Sequence, residues 1–139
     1  MGELRETLER RAALADMVPD YAGEQDSAAV EKAQRAFTNA HLVVAVIEVQ
    51  QSSPKIPAIE QTYSAGAVCL SLVNAALASG WGANWLTGWP SHDRSYAANA
   101  LGIAANERIA GLIHIGTETS VPPERQRADV QAITSWVDE

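Results

Sequence analysis

The chain is poor in cysteine, in basic residues and in aromatic rings. Its 139 residues include one cysteine, ten lysines and arginines against seventeen acidic residues, and 6% aromatics. A single cysteine excludes a disulfide framework within the chain and fits a reducing compartment. The formal net charge of -7 argues against a nucleic-acid or anionic-membrane surface, because both need clustered lysine and arginine.

Targeting signals and membrane-length hydrophobic runs are missing too. Residues 1–17 mix acidic and basic side chains and contain no apolar core of a secretory signal. The most apolar stretch, residues 65–78, carries Ser71 and Asn74 and is short for a bilayer span. We therefore expect a cytoplasmic protein. The length predicts one domain, residues 1–139, which can bury a core of its own.

Motifs for side-chain catalysis are absent. The sequence has no nucleophile elbow, no zinc-ligand spacing and no phosphate loop. His114 is expected to be a hydrogen-bonded residue of a buried strand, and His92 to lie at the surface or cap a helix. Cys69 stands in an apolar helical run, which is typical of a small buried hydrophobe. No catalytic side chain and no metal site are predicted.

Helical and strand patterns alternate along the chain, which indicates an α/β or α+β class with few strands. Apolar residues at helical spacing predict a first helix in residues 1–17, and Asp26 or Ser27 caps a second helix that ends near Phe37. Residues 41–49 predict a buried central strand and residues 108–116 another strand. Ser91 is the candidate cap of a short helix that ends at Gly102. A last helix is expected to bury four apolar side chains: Val130, Ile133, Trp136 and Val137.

The longest predicted helix covers residues 58–79 and ends at Gly80, a plausible C-terminal cap. It is apolar around much of its circumference, so it must be buried on more than one side. A domain of this size can hardly surround such a helix. We therefore expect a partner subunit to cover it.

Three tryptophans and three glycines follow this helix in the stretch SGWGANWLTGWP, residues 79–90. A flat heteroaromatic ring needs backbone donors and acceptors at its edge and an apolar wall on its face. Trp85 offers a face, Thr87 a hydroxyl, and Gly88 lets the backbone approach closely. Since the chain lacks catalytic side chains, a redox cofactor would supply the chemistry. The alternative is that the tryptophans are core residues packed around a turn.

The segments KIPAIEQTYSAGAVCLSLVNAALASGWGANWLTGW and ERIAGLIHIGTE resemble the flavin-dependent nitroreductase family, in particular a short bacterial branch. Several linked segments between residues 40 and 136 agree in order and spacing. The resemblance implies an α+β sandwich whose few-stranded sheet is flanked by helices, with the long helix at a dimer interface. It also implies an FMN-dependent homodimer that oxidises NAD(P)H and reduces nitroaromatic or quinone-type acceptors by a ping-pong mechanism.

The same resemblance implies roles for particular residues. Trp85, Leu86, Thr87 and Gly88 would line the flavin ring, and Ser64 would be a polar neighbour of the flavin. Arg125 and Arg127 would neutralise the FMN phosphate, a role that guanidinium groups suit. The stretch that matches a nicotinamide-nucleotide site in relatives consists of Ala75, Ala76, Leu77, Ala78, Ser79 and Gly80.

One part of the family pattern is missing from the beginning of the chain. Family members start with an Arg-Arg-Ser helix, a Pro-Asp-His segment and a strand, and this sequence starts about fifty residues later, without much of the phosphate site. Three explanations stay open: a shortened or wrongly started sequence, a natural short relative that binds flavin weakly, or a flavin-free binding dimer that has lost activity.

Overall fold

The computed structural model describes the backbone of residues 2–137 and the side chains of residues 10–137. In chain order this part contains seven regular elements: α1 (Gly2–Met17), α2 (Ser27–Thr38), β1 (Leu42–Val49), α3 (Ala58–Ala78), β2 (Gly82–Leu86), α4 (Arg94–Leu101) and β3 (Glu107–Gly116). Two short 3₁₀ turns, Val18–Tyr21 and Trp89–Ser91, follow α1 and β2. None of the described helices is both long enough and apolar enough to cross a membrane.

The three strands form one antiparallel sheet in the order β1-β3-β2. The fold is therefore α+β, as predicted. The expectation that residues 41–49 form the central strand is wrong, because β3 occupies the centre and β1 an edge. Strand β1 is also not buried as predicted: α3 contacts one face of it, and Val43 and Ile47 pack against the core on the other, but only Glu48 in the strand is buried. This edge strand is therefore apolar on both sides without being fully covered. A continuous apolar run thus indicates neither full burial nor a central position.

One irregularity in the sheet matters for the site. Val46 pairs with Gly111 and Ile47 pairs with Ile109, so Ala110 of β3 has no counterpart on β1. This is a β-bulge, which strengthens the local twist and changes the direction of neighbouring side chains. The bulge lies just beyond the point where β2 stops pairing with β3, at Leu86 and Leu112.

The main core fills one face of the sheet, beneath α1, α2 and α4. Phe37 of α2 and Tyr96 of α4 are fully buried there, and their rings lie 6.0 Å apart. The Tyr96 hydroxyl donates a hydrogen bond of 2.8 Å to the Leu14 carbonyl, which ties α4 to α1. Ten buried residues form this core: Leu14, Ala15, Val18, Ala33, Phe37, Tyr96, Ala97, Ile103, Ile109 and Leu112.

Helix α3 covers the opposite face of the sheet and contacts all three strands. It ends as predicted, with Ser79 as its C-cap and Gly80 at φ 84°. Its inward side buries Cys69 and Ala76. The expectation that the helix is buried on more than one side does not hold within one chain. Its outward side exposes five large apolar side chains: Ile59, Tyr63, Val68, Leu70 and Leu77.

Two further predictions are wrong. Residues 117–137 form no helix, and Val130, Ile133, Trp136 and Val137 are 70% to 93% exposed; residues 138 and 139 lie outside the described part. A helix of about twelve residues is marginal without tertiary packing, and this segment has none to bury its apolar side. Asp93, not Ser91, caps α4 by accepting a bond of 2.7 Å from the Tyr96 N–H. The Ser91 hydroxyl instead donates to the Thr87 carbonyl.

Candidate functional site

Trp85 and Leu86 end β2 and point to opposite faces of the sheet. The Trp85 indole lies on the α3 face, where its Nε1 donates a bond of 3.2 Å to the carbonyl of the bulged Ala110. Gly111 makes room for this ring: a Cβ atom there would lie 2.2 Å from Trp85 Nε1. The indole is thus held by the sheet while 40% of the residue stays exposed.

The turn after β2 is fixed by local backbone chemistry. Gly88 has φ 59° and ψ 171°, a combination that residues with a side chain adopt only at a cost of about 1–3 kcal/mol. Ser91 donates its hydroxyl to the Thr87 carbonyl, and the N–H groups of His92 and Asp93 both reach the Trp89 carbonyl. The turn therefore has a defined shape and leads directly into the cap of α4.

A cleft of about 320 Å³ opens between this turn and α2, and we call it the turn cleft. Its walls are mostly apolar and include Phe37 of α2 and Leu112 of β3. Three of the predicted ring-binding residues line it: Leu86, Thr87 and Gly88. Its volume lies at the lower end of the range for small-molecule sites, about 300–1,000 Å³.

Among the described residues, two buried nitrogen atoms next to the turn cleft find no hydrogen-bond partner: Trp89 Nε1 and His114 Nε2. The prediction for His114 is therefore half right, since the residue is buried but not fully hydrogen-bonded. Burial, together with the charge of Arg11, lowers the His114 pKa, so its imidazole is held neutral. Unsatisfied buried polar atoms are costly, and a bound ligand could satisfy them. His92 is exposed, as predicted.

The other predicted site residues lie apart from the turn cleft. Ser64 is exposed on α3 and lines a shallow pocket with Ile56 and Gln61. Arg125 and Arg127 belong to the exposed segment after β3, where Arg127 pairs with Glu124 at 3.2 Å. The proposed nucleotide stretch is the last turn of α3 and its cap, where the Ser79 hydroxyl donates to the Ala75 carbonyl at 2.8 Å. The structure does not bring these residues to the turn.

A second cleft, of about 390 Å³, lies beside Trp85. We call it the carboxylate cleft, because the Glu48 carboxylate lines it together with Thr62, Ser91, Arg94, Arg108 and Ala110. Glu48 is 6% exposed and pairs with Arg108 at 3.2 Å. Burial opposes its ionisation, but bonds from Thr62 and Gln50 and the charge of Arg108 outweigh burial and lower the Glu48 pKa.

Reasoning from the sequence missed this carboxylate cleft. Glu48 is the single acidic residue of the apolar strand LVVAVIEV. A charged residue inside such a run needs a partner of opposite charge, and this was the available signal. The partner, Arg108, lies 60 residues away in the sequence, so nothing local indicated the pair. Within the described residues, no three His, Cys, Asp or Glu side chains are grouped to hold a metal ion.

Comparison with known sequences places these features among known proteins. The family model described as "Nitroreductase family" matches residues 3–117. The Escherichia coli K12 protein named "Putative NAD(P)H nitroreductase YdjA" is 30% identical over 109 residues, which cover 78% of this chain. The same protein from Escherichia coli O157:H7 matches equally well. The chain spans 58% of the length of these curated relatives.

Solved structures share the fold. A nitroreductase-like family protein from Bacillus cereus superposes with a TM-score of 0.75 at 18% identity, covering 93% of this chain and 68% of its own. A nitroreductase with bound FMN from Bacteroides fragilis superposes with a TM-score of 0.63 at 14% identity, covering 94% and 72%. At these identities the superpositions establish the α+β architecture.

Proposed function

Because the chain belongs to the nitroreductase family, we propose that it is an FMN-dependent NAD(P)H oxidoreductase that works as a homodimer. The observation that carries this proposal is the turn cleft, which Leu86, Thr87 and Gly88 line together with apolar walls. One relative carries the name "Putative NAD(P)H nitroreductase", and one structural neighbour was solved with bound FMN. Both support the assignment.

The residues of the turn cleft fit the ring end of FMN. The cleft offers apolar walls, a glycine at a backbone angle suited to close approach, and two buried nitrogen atoms without partners in the described part of the chain, Trp89 Nε1 and His114 Nε2. In this proposal the backbone of Thr87 and Gly88 contacts the polar edge of the ring and Leu86 packs against its face. Trp85, pinned to Ala110, fixes the position of the strand end from the other side of the sheet.

The phosphate end of the cofactor is not assembled by one chain. Arg125 and Arg127 are the proposed phosphate ligands, yet both lie in the exposed segment after β3. We propose that in the homodimer this segment and the outward face of α3 pack against a second copy, which completes the site. Ser64 and the α3 end, residues 75–80, remain proposed contacts for the flavin and the nicotinamide nucleotide.

When bound, FMN supplies two-electron redox chemistry between NAD(P)H and an electron-poor acceptor such as a nitroaromatic or a quinone. The chain itself has a simpler task, because no side chain has to act as a nucleophile. Its apolar walls exclude water from the ring, its turn backbone orients the ring edge, and its guanidinium groups balance the phosphate charge. Residues 1–139 act as a single domain of this kind.

Titration of the purified chain with FMN tests the proposal, with quenching of flavin fluorescence as the measurement. Gly88→Ala should weaken FMN binding about tenfold, equivalent to about 1.4 kcal/mol, since the added methyl enters the turn that lines the cleft. Gly23→Ala is the matched control: Gly23 also has a positive φ, 54°, but lies in the link before α2. Absence of FMN binding at high micromolar concentration would exclude the oxidoreductase and favour a flavin-free binding dimer.

A further inference from the structure

One oxygen of the Glu48 carboxylate, Oε1, accepts three hydrogen bonds. The other, Oε2, accepts none from the described residues, and we call it the open oxygen. Oε1 accepts hydrogen bonds from Thr62 Oγ1 at 2.6 Å, from Arg108 Nη2 at 3.2 Å and from the Gln50 amide. No bond from the described residues reaches Oε2, and Oε2 is not among the fully buried unpartnered atoms. Glu48 is 94% buried, its second oxygen has no partner among the described residues, and the residue lines the carboxylate cleft.

Hydrogen-bond donors and a flat wall also line the carboxylate cleft. The Arg108 side chain is 56% exposed and uses a single nitrogen on Glu48, so the rest of its planar fork is available to an acceptor. Trp85 adds an indole wall that its bond to Ala110 holds in place. Arg94 is occupied, because its two terminal nitrogens hold the carbonyls of Glu107 and Ala104 at 2.7 Å and 3.0 Å.

The charges of the cleft exclude simple ions as the best ligand. A carboxylate or phosphate could pair with Arg108 but would place its negative charge beside the Glu48 carboxylate. A cation would face the guanidinium groups of Arg94 and Arg108. What matches both groups is a neutral, planar unit that offers an N–H donor beside a carbonyl acceptor.

We propose that the carboxylate cleft is a small-molecule site for a planar ring that carries a carboxamide or a ring lactam. The ligand N–H donates to Glu48 Oε2, its carbonyl accepts from Arg108, and its ring packs along Trp85. The site is separate from the turn cleft and needs no flavin, so its test does not depend on the proposed redox function.

Nuclear magnetic resonance of the full ¹⁵N-labelled chain provides the test, with nicotinamide as the carboxamide probe and uracil as the lactam probe. Binding should shift the Trp85 indole N–H and the backbone amides of Thr62 and Ala110. Nicotinate is the matched control ligand, since it keeps the ring and replaces the amide by a carboxylate. It should bind about tenfold more weakly than nicotinamide, because the amide N–H to Glu48 is lost and like charges meet.

Two variants separate ligand recognition from folding. Arg108→Lys keeps the charge and removes the planar fork, so probe affinity should fall about fivefold. Arg35→Lys is the control, because Arg35 forms a comparable ion pair with Glu31 on α2 and should leave the affinity unchanged. Glu48→Gln, checked for folding by its amide spectrum, should weaken both probes.

Three outcomes would overturn the proposal. The first is that neither probe shifts the Trp85 indole at tens of millimolar concentration. The second is that nicotinate binds as well as nicotinamide. The third is that Arg108→Lys and Arg35→Lys have the same effect on affinity.

Discussion

The two faces of the sheet are covered to very different degrees. On one face, α1, α2 and α4 close a core in which Phe37 and Tyr96 are fully buried. On the other face, α3 buries Cys69 and Ala76 against the strands but leaves Tyr63 68% and Leu70 55% exposed on its outer side. The core on the first face is covered by helices of the same chain. On the second face, the outer side of the covering helix α3 is an exposed apolar surface.

The difference separates the residues that form the core of the chain from those whose apolar surface stays exposed within one chain. Large exposed apolar patches on a protein mark interaction sites. No charged residue occurs between Gln61 and Ala78 in α3, so that surface lacks the charged side chains that usually cover the outer face of a helix in water. We therefore expect stability to depend mainly on the α1, α2 and α4 face, and association to depend on α3.

Phe37→Ala is the strongest test of the closed face. Phe37 is 1% exposed and contacts the Tyr96 ring, so truncation leaves a cavity and should lower the free energy of unfolding by about 3–5 kcal/mol. Urea unfolding followed by circular dichroism measures it. Val68→Ala, on the exposed side of α3, is the control at low protein concentration. Similar losses for both variants would remove the contrast between the two faces.

Leu70→Glu tests the open face. A charge in the middle of the α3 surface should raise the dimer dissociation constant at least about thirtyfold, equivalent to a contact worth about 2 kcal/mol. Analytical ultracentrifugation over a concentration series measures this constant. Ala98→Glu on α4, also at an exposed position, should leave it unchanged. A wild-type chain that stays monomeric at high concentration would contradict the proposed homodimer.

Gly111→Ala tests the contact that joins the sheet to the α3 layer. The new Cβ would lie 2.2 Å from Trp85 Nε1 and 3.0 Å from Cys69 Sγ, so the indole must move and lose its bond to Ala110. Overpacking of this kind should cost about 1–3 kcal/mol of unfolding free energy, and the Trp85 indole N–H resonance should shift. Gly116→Ala, in the same strand, is the control, since a Cβ there would lie 3.6 Å from its nearest neighbours, an ordinary van der Waals distance. An unchanged chemical shift of the indole N–H would show that the site has room for the added methyl group.

The sequence predicted those parts of the fold whose signals are local. The extent of α3 and its end at Gly80 follow from a continuous helix-compatible run and its cap, and the structure confirms both. Of the two predicted caps for α2, Asp26 and Ser27, the structure selects Asp26. The edge position of β1 was not predictable, because a strand that packs on both faces is apolar wherever it lies in the sheet. The prediction of a C-terminal helix was wrong, because the apolar side chains of that segment do not pack against the rest of the chain.

In the candidate site, too, features that depend on neighbouring residues were predictable, and features that depend on contacts across the sheet were not. The glycine turn was predictable because Trp85, Thr87 and Gly88 are neighbours in the sequence, and the structure places the turn beside a cleft. The Glu48–Arg108 pair and the His114 nitrogen that lacks a partner among the described residues depend on strand register across the sheet. The register between two strands cannot be predicted from the spacing of residues within a single segment. Their roles as ligand contacts stay predictions.

The smallest effect is expected at His114, which lies on the closed face beside the turn cleft. Burial, with the charge of Arg11, lowers its pKa in the folded state. As the pH falls below the unfolded-state pKa of about 6.5, the histidine binds a proton in the unfolded chain but not in the folded chain. The free energy of unfolding therefore decreases. This loss continues down to the folded-state pKa and stays below about 1.4 kcal/mol per pH unit, the limit for one proton.

His114→Gln should remove that slope below about pH 6.5, the unfolded-state pKa of histidine. His92→Gln, at an exposed position, should retain the wild-type slope and serves as the control. Urea unfolding at several pH values measures the three curves. Parallel curves for wild type and His114→Gln would show that His114 does not resist protonation in the folded chain.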